Sequence, residues 1–302
     1  MSNDKYNFLA VIANVDNTIK LVDPIAGCKA ERWSSRRLIQ TLCDLEMLPS
    51  HEIEFILESA NCISDDYRYG YVLTNTLRIP DRIEKQKVDP LYTVRIMEDY
   101  IARIEGVIKL MRLFRHGNVA IQRYHLYRKH EGQITPDYGQ TSDIRLPHEI
   151  FTLLPEEARE LNYFIQTTQL PLGPAYLQLA FDNFNESYDL YQENLAFLNL
   201  MIAVEVLFNV GPQDLRYRIC RGIAVLIGEN RKDAEDVFSQ MKKLYDKRSL
   251  LVHTGEAKNL NSNDIVQLKS YLRRALKKLI VLKASKEDLS NRLTAAGFGH
   301  AP

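Results

Sequence analysis

Residues 119–130 read VAIQRYHLYRKH, the last stretch of the chain whose pattern repeats every two residues, and its reading decides the fold class. Alternation sets Ala120, Gln122, Tyr124 and Leu126 on one face of a strand and Ile121, Arg123, His125 and Tyr127 on the other. The segment that follows, His130 to Leu146, carries Gly132, Pro136, Gly139, Ser142 and Asp143, and is polar and turn-rich, as a linker is. Beyond it the apolar spacing is helical. The expectation is an α+β protein, with a mixed α/β or β-rich domain over residues 1–145 and an all-α domain over residues 146–302. A length of 302 residues with 45% hydrophobic content is enough for two cores.

Ahead of the strand, the run from Tyr6 to Val22 divides into two short β-rich pieces joined by Asp16-Asn17, a hairpin-like signal. Residues 34–60 read as helical: Ser34-Ser35 precedes Leu38, Leu42 and Leu45, and Ser50 precedes Ile53, Ile56 and Leu57. YGYVLTNTLRI (69–79) is rich in β-branched and aromatic residues and predicts a strand; Tyr92–Arg115 has a helical stripe through Ile96, Tyr100, Ile104, Ile108 and Met111. Behind the linker, helices are predicted from Pro155, from Ala175 with an aromatic stripe reaching Tyr188 and Tyr191, and over Leu195–Phe208. Further helices follow over Arg216–Ile227, Lys232–Val252 and, as the last, Asn263–Leu282. The final residues, AAGFGHAP, read as a frayed end.

The charges cancel, 39 basic against 39 acidic, which excludes a wholly basic nucleic-acid binder but conceals an asymmetry. Residues 155–210 hold one basic residue, Arg159, against eight acids, whereas residues 211–283 hold sixteen Lys or Arg against eight. An excess of that kind raises the anion concentration at one face. The cysteines Cys28, Cys43, Cys62 and Cys220 form no C-x-x-C pair and have no histidine at zinc-ligand spacing, so neither a structural zinc nor a disulfide framework is expected. The N-terminus has no leader pattern and no run is long enough to span a bilayer; the expected setting is the cytoplasm, with no membrane partner. Gly-rich phosphate loops and G-x-S-x-G are absent, which leaves little basis for a small-molecule enzyme in the first domain.

In the basic half, LYDKRSLLVHTG (244–255) sets Arg248 and His253 five positions apart near a helix end. Such a pair suits phosphodiester chemistry without a metal: a histidine moves a proton at a ribose hydroxyl while a guanidinium offsets charge growing on the phosphate. The same spacing recurs at Arg123 and His130, but on a strand those two fall on opposite faces. On a helix, five positions rotate by about 140° and rise by about 7.5 Å, so Arg248 and His253 converge only through unwinding near His253, a second copy, or both. Gly255 marks the helix end, and Ser249 lies one turn before His253 on its face. Glu205, inside the apolar run LMIAVEVLFN (200–209), needs a partner, with Arg221 or Arg248 as the candidates. Asp182, Glu186, Asp189 and Glu193 recur at helical spacing and read as a solvated face rather than a metal site.

LAFDNFNESY (179–188), LMIAVEVLFN, RGIAVLIG (221–228) and LYDKRSLLVHTG, in that order, resemble the HEPN superfamily, in particular its ApeA-like branch, over roughly residues 150–285. The resemblance implies a helical bundle that dimerises, so that the Arg-x4-6-His elements of two protomers form one composite ribonuclease site. It implies RNA as substrate, tRNA among the candidates, a 2′,3′-cyclic phosphate product, and no metal or other cofactor. Carried onto this chain, His253 is the general base or acid at the 2′-OH, Arg248 the phosphate clamp, Ser249 the group that orients His253, and Glu205 an organiser of the site. Arg221, Lys247 and Tyr245 are candidate substrate contacts, with packing as the competing role for Tyr245. The setting implied is an antiviral, abortive-infection or toxin–antitoxin effector, with residues 1–145 sensing a trigger or partner through such residues as Arg68, Arg78, Arg123 and His125. The alternative is a non-catalytic HEPN module that binds nucleotide or RNA or scaffolds another protein.

Overall fold

The strand β1 (Asn3–Ala13) is apolar on both faces, and in the computed structural model it occupies the centre of a five-stranded antiparallel sheet. The structure describes every residue except 1–2, 23–24, 65–67, 81–91, 132, 142–148, 210, 212–213, 257–259 and 297–302. After β1 come a 3-10 turn (Asn17–Leu21), β2 (Lys29–Ser34), α1 (Ser35–Glu46), α2 (Ser50–Ser59) and β3 (Tyr69–Pro80). α3 (Tyr92–Phe114), β4 (Ala120–His130), β5 (Gln133–Thr141) and α4 (Glu157–Thr167) complete this part. The strand order is β2-β3-β1-β4-β5. Phe8, Ala10 and Ile12 of β1 pack with Met97, Ile104, Ile108 and Met111 of α3 and Leu161 of α4. Leu9, Val11 and Ala13 point the other way, into a core with Leu38, Leu42 and Leu45 of α1 and Ile53 and Leu57 of α2. Covering both faces is what a strand without polar alternation requires.

Three expectations for this unit are corrected. Asp16-Asn17 makes no hairpin: Asp16 accepts a hydrogen bond from Thr18 N at 2.8 Å and caps the 3-10 turn, while the partners of β1 are β3 and β4. A short acidic side chain that bonds its own backbone competes with strand pairing. Residues 133–141 are not linker but the edge strand β5, paired with β4. An edge position tolerates Pro136, which lacks a donor, and Gly139 is required there because a Cβ would lie 2.5 Å from Nδ1 of His125. The unit ends at Thr167 rather than at 145, because α4 belongs to it: Phe164 packs on Phe114 at 6.0 Å and Arg115 pairs with Glu157. Residues 142–148, where the boundary was expected, lie outside the described residues. A register shift at Gln122 adds a smaller change, placing Ile121 on the face of Tyr124 and Leu126.

The second unit, Thr168–Pro302, contains α5 (Ala175–Asp189), α6 (Glu193–Phe208), α7 (Leu215–Ile227), α8 (Arg231–Thr254), α9 (Ser262–Leu282) and α10 (Lys286–Ala295). Its core follows helical spacing: Ala180, Phe181, Phe184 and Tyr188 of α5 meet solvent on no more than 1% of their surface. Phe197, Leu200, Met201, Ala203, Val204 and Leu207 of α6 are equally enclosed, and Leu268, Leu272, Ala275 and Leu276 of α9 continue the same core. Caps fix the ends. Asn230 accepts from Asp233 N at the start of α8, Asn261 and Asp264 form a capping box on α9, and Gly255 closes α8 at φ 72°. α10 extends the chain past the helix expected to be last. Ser285 caps it and only Leu289 and Leu293 are buried, an apolar signal too short to register against its polar surroundings. No described helix is long and apolar enough to cross a membrane.

Candidate functional site

α8 runs unbroken from Arg231 to Thr254, so the helix is not unwound between Arg248 and His253 and the two side chains leave it about 140° apart. Arg248 turns toward α6, where its Nη2 donates to Oε2 of Glu205 at 3.3 Å and its Nε lies 3.0 Å from Oε1. Of the two candidate partners for Glu205, the structure selects Arg248. Both members are about one-quarter exposed or less, so the pair sits at the rim of the bundle rather than in its core. Tyr245, one turn earlier on α8, holds its ring centroid 5.9 Å from the Arg248 guanidinium. Burial, followed by the negative charge of Glu205, pushes the Tyr245 phenol above its ordinary value and keeps it a neutral donor.

His253 is exposed in the last turn of α8, ahead of the left-handed Gly255. Ser249 lies half-buried one turn below it, and among the described residues no hydrogen bond joins them. The other two proposed substrate contacts are turned elsewhere. Arg221 donates from Nη1 to the carbonyl of Leu293 and from Nη2 to that of Ala296, both at 2.5 Å, closing the C-terminal end of α10. Lys247 donates to both oxygens of Asp264, at 2.8 and 2.7 Å, and so joins α8 to the cap of α9. The structure thus brings Glu205, Tyr245 and Arg248 together, places Ser249 and His253 beside them on α8, and separates Arg221 and Lys247 from the group.

Elsewhere in this unit, residues of α6, α7 and α10 line a cavity of about 330 Å³, among them Phe208, Tyr217, Arg218, Arg221, Leu289 and Leu293. Sequence reasoning also passed over Tyr217 of α7, which packs on Phe238 of α8, and Lys242, whose ammonium lies near the same Phe238 ring. The signal was present as a seven-residue recurrence, Phe238 then Tyr245, each followed by a cation within one turn.

In the first unit, Arg123 and His125 share a face of β4 as expected, and both are spent on Glu46 of α1. Arg123 Nη1 donates to both carboxylate oxygens at 2.7 Å, and His125 Nε2 donates to Oε1 at 2.9 Å. Burial would raise the Glu46 carboxyl, but the His125 hydrogen bond and the Arg123 charge outweigh it and hold the group below its ordinary value. With 1% and 5% of their surfaces exposed, Arg123 and His125 are structural and do not meet a trigger; Arg68 and Arg78 remain exposed. Of the acidic series, Asp189 closes α5 and Glu193 opens α6, where it accepts from Ser262, so the four do not share one helix. Among the described residues, no three His, Cys, Asp or Glu side chains converge as metal ligands. Comparison of the chain with protein-family models, with curated proteins and with solved structures finds no match.

Proposed function

We propose that the chain is a metal-independent endoribonuclease of the HEPN type, a cytoplasmic defence or toxin effector that cuts RNA at a composite site formed by two copies. His253 takes the proton of a ribose 2′-OH, the 2′-oxygen attacks phosphorus, and the 5′-oxygen of the next nucleotide leaves with a proton given by an imidazolium of the composite site. The products are a 2′,3′-cyclic phosphate and a 5′-hydroxyl. Arg248 offsets the charge that grows on the phosphate, and Glu205 holds the guanidinium until substrate arrives. The observation that carries this reading is the end of α8, where a carboxylate-held Arg248 and an exposed His253 stand on one rigid helix. Because that helix sends them in different directions, one phosphate reaches both types of group only if a second copy contributes. The first unit, with Arg68 and Arg78 at its surface, is then the sensor.

The Glu205–Arg248 pair also favours a second reading, in which Arg248 is fully occupied in joining α6 to α8 and the helical unit binds RNA without cutting it. Incubation of total RNA and tRNA in EDTA with the wild type, Arg248→Ala and His253→Ala, followed by end-group analysis, separates the two. Cyclic-phosphate ends that vanish in both variants support the nuclease. Cutting that EDTA abolishes sinks the mechanism, and a folded wild-type dimer that binds RNA and leaves it intact favours the binding module.

A further inference from the structure

Phe238, Lys242, Tyr245 and Ser249 follow one another on α8 at intervals of four, three and four residues, which places them on one stripe. The Lys242 ammonium lies 5.6 Å from the centroid of Phe238, and the Arg248 guanidinium 5.9 Å from that of Tyr245. The aromatic-plus-cation arrangement of the candidate site is therefore repeated two turns earlier, about 10.5 Å along the helix. From α7, Tyr217 meets Phe238 edge to face, with centroids 5.8 Å apart and planes at 81°, yet is 54% exposed. One neighbouring ring fixes it, and about half of its surface is open to solvent. Exposed Lys242 makes no ion pair among the described residues. The acids alongside are offset, Asp246 by Arg216 and Glu235 by Arg231, and exposed Asp236 points away from the stripe.

We propose that Tyr217, Phe238 and Lys242 form a track for single-stranded RNA that leads into Arg248 and His253; its direction rests on the nuclease reading above. A phosphate backbone follows the cations while an unpaired base stacks on Tyr217, which a duplex, with its bases already stacked, cannot do. Every base has a π face, so the track tolerates sequence. Lys242, exposed among the aromatics, argues against a protein partner, since lysine is depleted at the core of protein–protein interfaces. From Phe238 to His253 the stripe is about 22 Å long, room for a short extended strand.

The experiment is fluorescence anisotropy of a fluorescein-labelled oligouridylate in EDTA, with the full chain carrying His253→Ala so that the probe stays intact. In that background Tyr217→Ala weakens binding roughly 5- to 100-fold, Tyr217→Phe restores it, and Lys242→Glu weakens it while flattening the salt dependence. The same probe annealed to its complement binds less tightly than the single strand. Equal binding by the background chain, Tyr217→Ala and Lys242→Glu overturns the track and leaves the nuclease reading standing, as does a loss in Tyr217→Ala that Tyr217→Phe fails to repair. No binding by the background chain overturns the track as well. Binding that falls in both variants, beside a wild type that never cuts, supports the track and overturns the nuclease.

Discussion

Glu205 on α6 and Arg248 on α8 are joined by a two-point contact, Nε to Oε1 at 3.0 Å and Nη2 to Oε2 at 3.3 Å, beside the apolar run that ends α6. Any phosphate that Arg248 binds must share or displace this carboxylate. Glu205→Gln keeps the shape and removes the charge. Because the pair is partly solvated, the expected loss of stability is about 1 kcal/mol or less. In RNA cleavage kcat is expected to fall by up to about 100-fold through loss of guanidinium orientation, while KM holds or decreases as the competing anion disappears. Steady-state kinetics alongside thermal melts check this; an unchanged kcat with a lowered Tm makes the pair purely structural.

Glu46, Arg123 and His125 predict an acid-sensitive first unit. The folded-state carboxyl of Glu46 lies below its ordinary value, so it contributes stability that is complete above the unfolded pKa, about 4.3, and is lost as the pH falls through the folded value. Trp33, the single tryptophan, sits in the core with Leu42 and Leu45 of the helix that carries Glu46, and its fluorescence follows this unit alone. Between pH 7 and pH 3 the denaturation midpoint of the wild type should fall further than that of Glu46→Gln. Arg123→Ala, which leaves a buried carboxylate with only His125, is expected to cost about 3–5 kcal/mol at neutral pH. Parallel pH profiles for wild type and Glu46→Gln would refute the linkage.

Gly117 turns the chain from α3 into β4 at φ 139°, and a Cβ there would lie 2.4 Å from the backbone Cα of Phe151. Phe151 cannot retreat: it is fully buried and its N–H donates to the carbonyl of Asn14 at 2.9 Å. Gly117→Ala therefore combines a disfavoured backbone conformation with a steric clash, and a loss of about 3 kcal/mol or more is expected. Urea denaturation followed at Trp33 measures it, and a loss below 1 kcal/mol would show that the turn is free to open.

What the sequence made legible was whatever a single element decides for itself. The apolar run of β1, the stripes of α1 and α3, and the helix start at Ser34 act within a few residues, and the structure has them where local chemistry sets them. β5 was hidden because Pro136 and Gly139 read as turn residues until β4 is laid beside them, where one is tolerated at an edge and the other demanded by the His125 ring. Glu46 was hidden behind the 76 residues that separate it from Arg123. At the candidate site, the cost of an unpaired carboxylate in an apolar helix announced that Glu205 has a partner. The choice of Arg248 over Arg221 depended on α10, whose terminal carbonyls engage Arg221 and whose short apolar pattern gave no warning.

Asp264 has two roles at once, as the N3 residue of the capping box of α9 and as the anion for Lys247 on α8. Removing one partner therefore costs more than removing the other. Lys247→Ala loses only the ion pair and should destabilise by about 1 kcal/mol, whereas Asp264→Ala also frees the Asn261 N–H and should cost about 2 kcal/mol. Because the Lys247 ammonium is held by both carboxylate oxygens, little of it is left for RNA. Lys247→Ala is expected to change cleavage and oligouridylate binding by less than about fivefold, the equivalent of 1 kcal/mol. Thermal melts and anisotropy on the same preparations check both numbers, and a larger loss of binding at an unchanged Tm would return Lys247 to the substrate contacts.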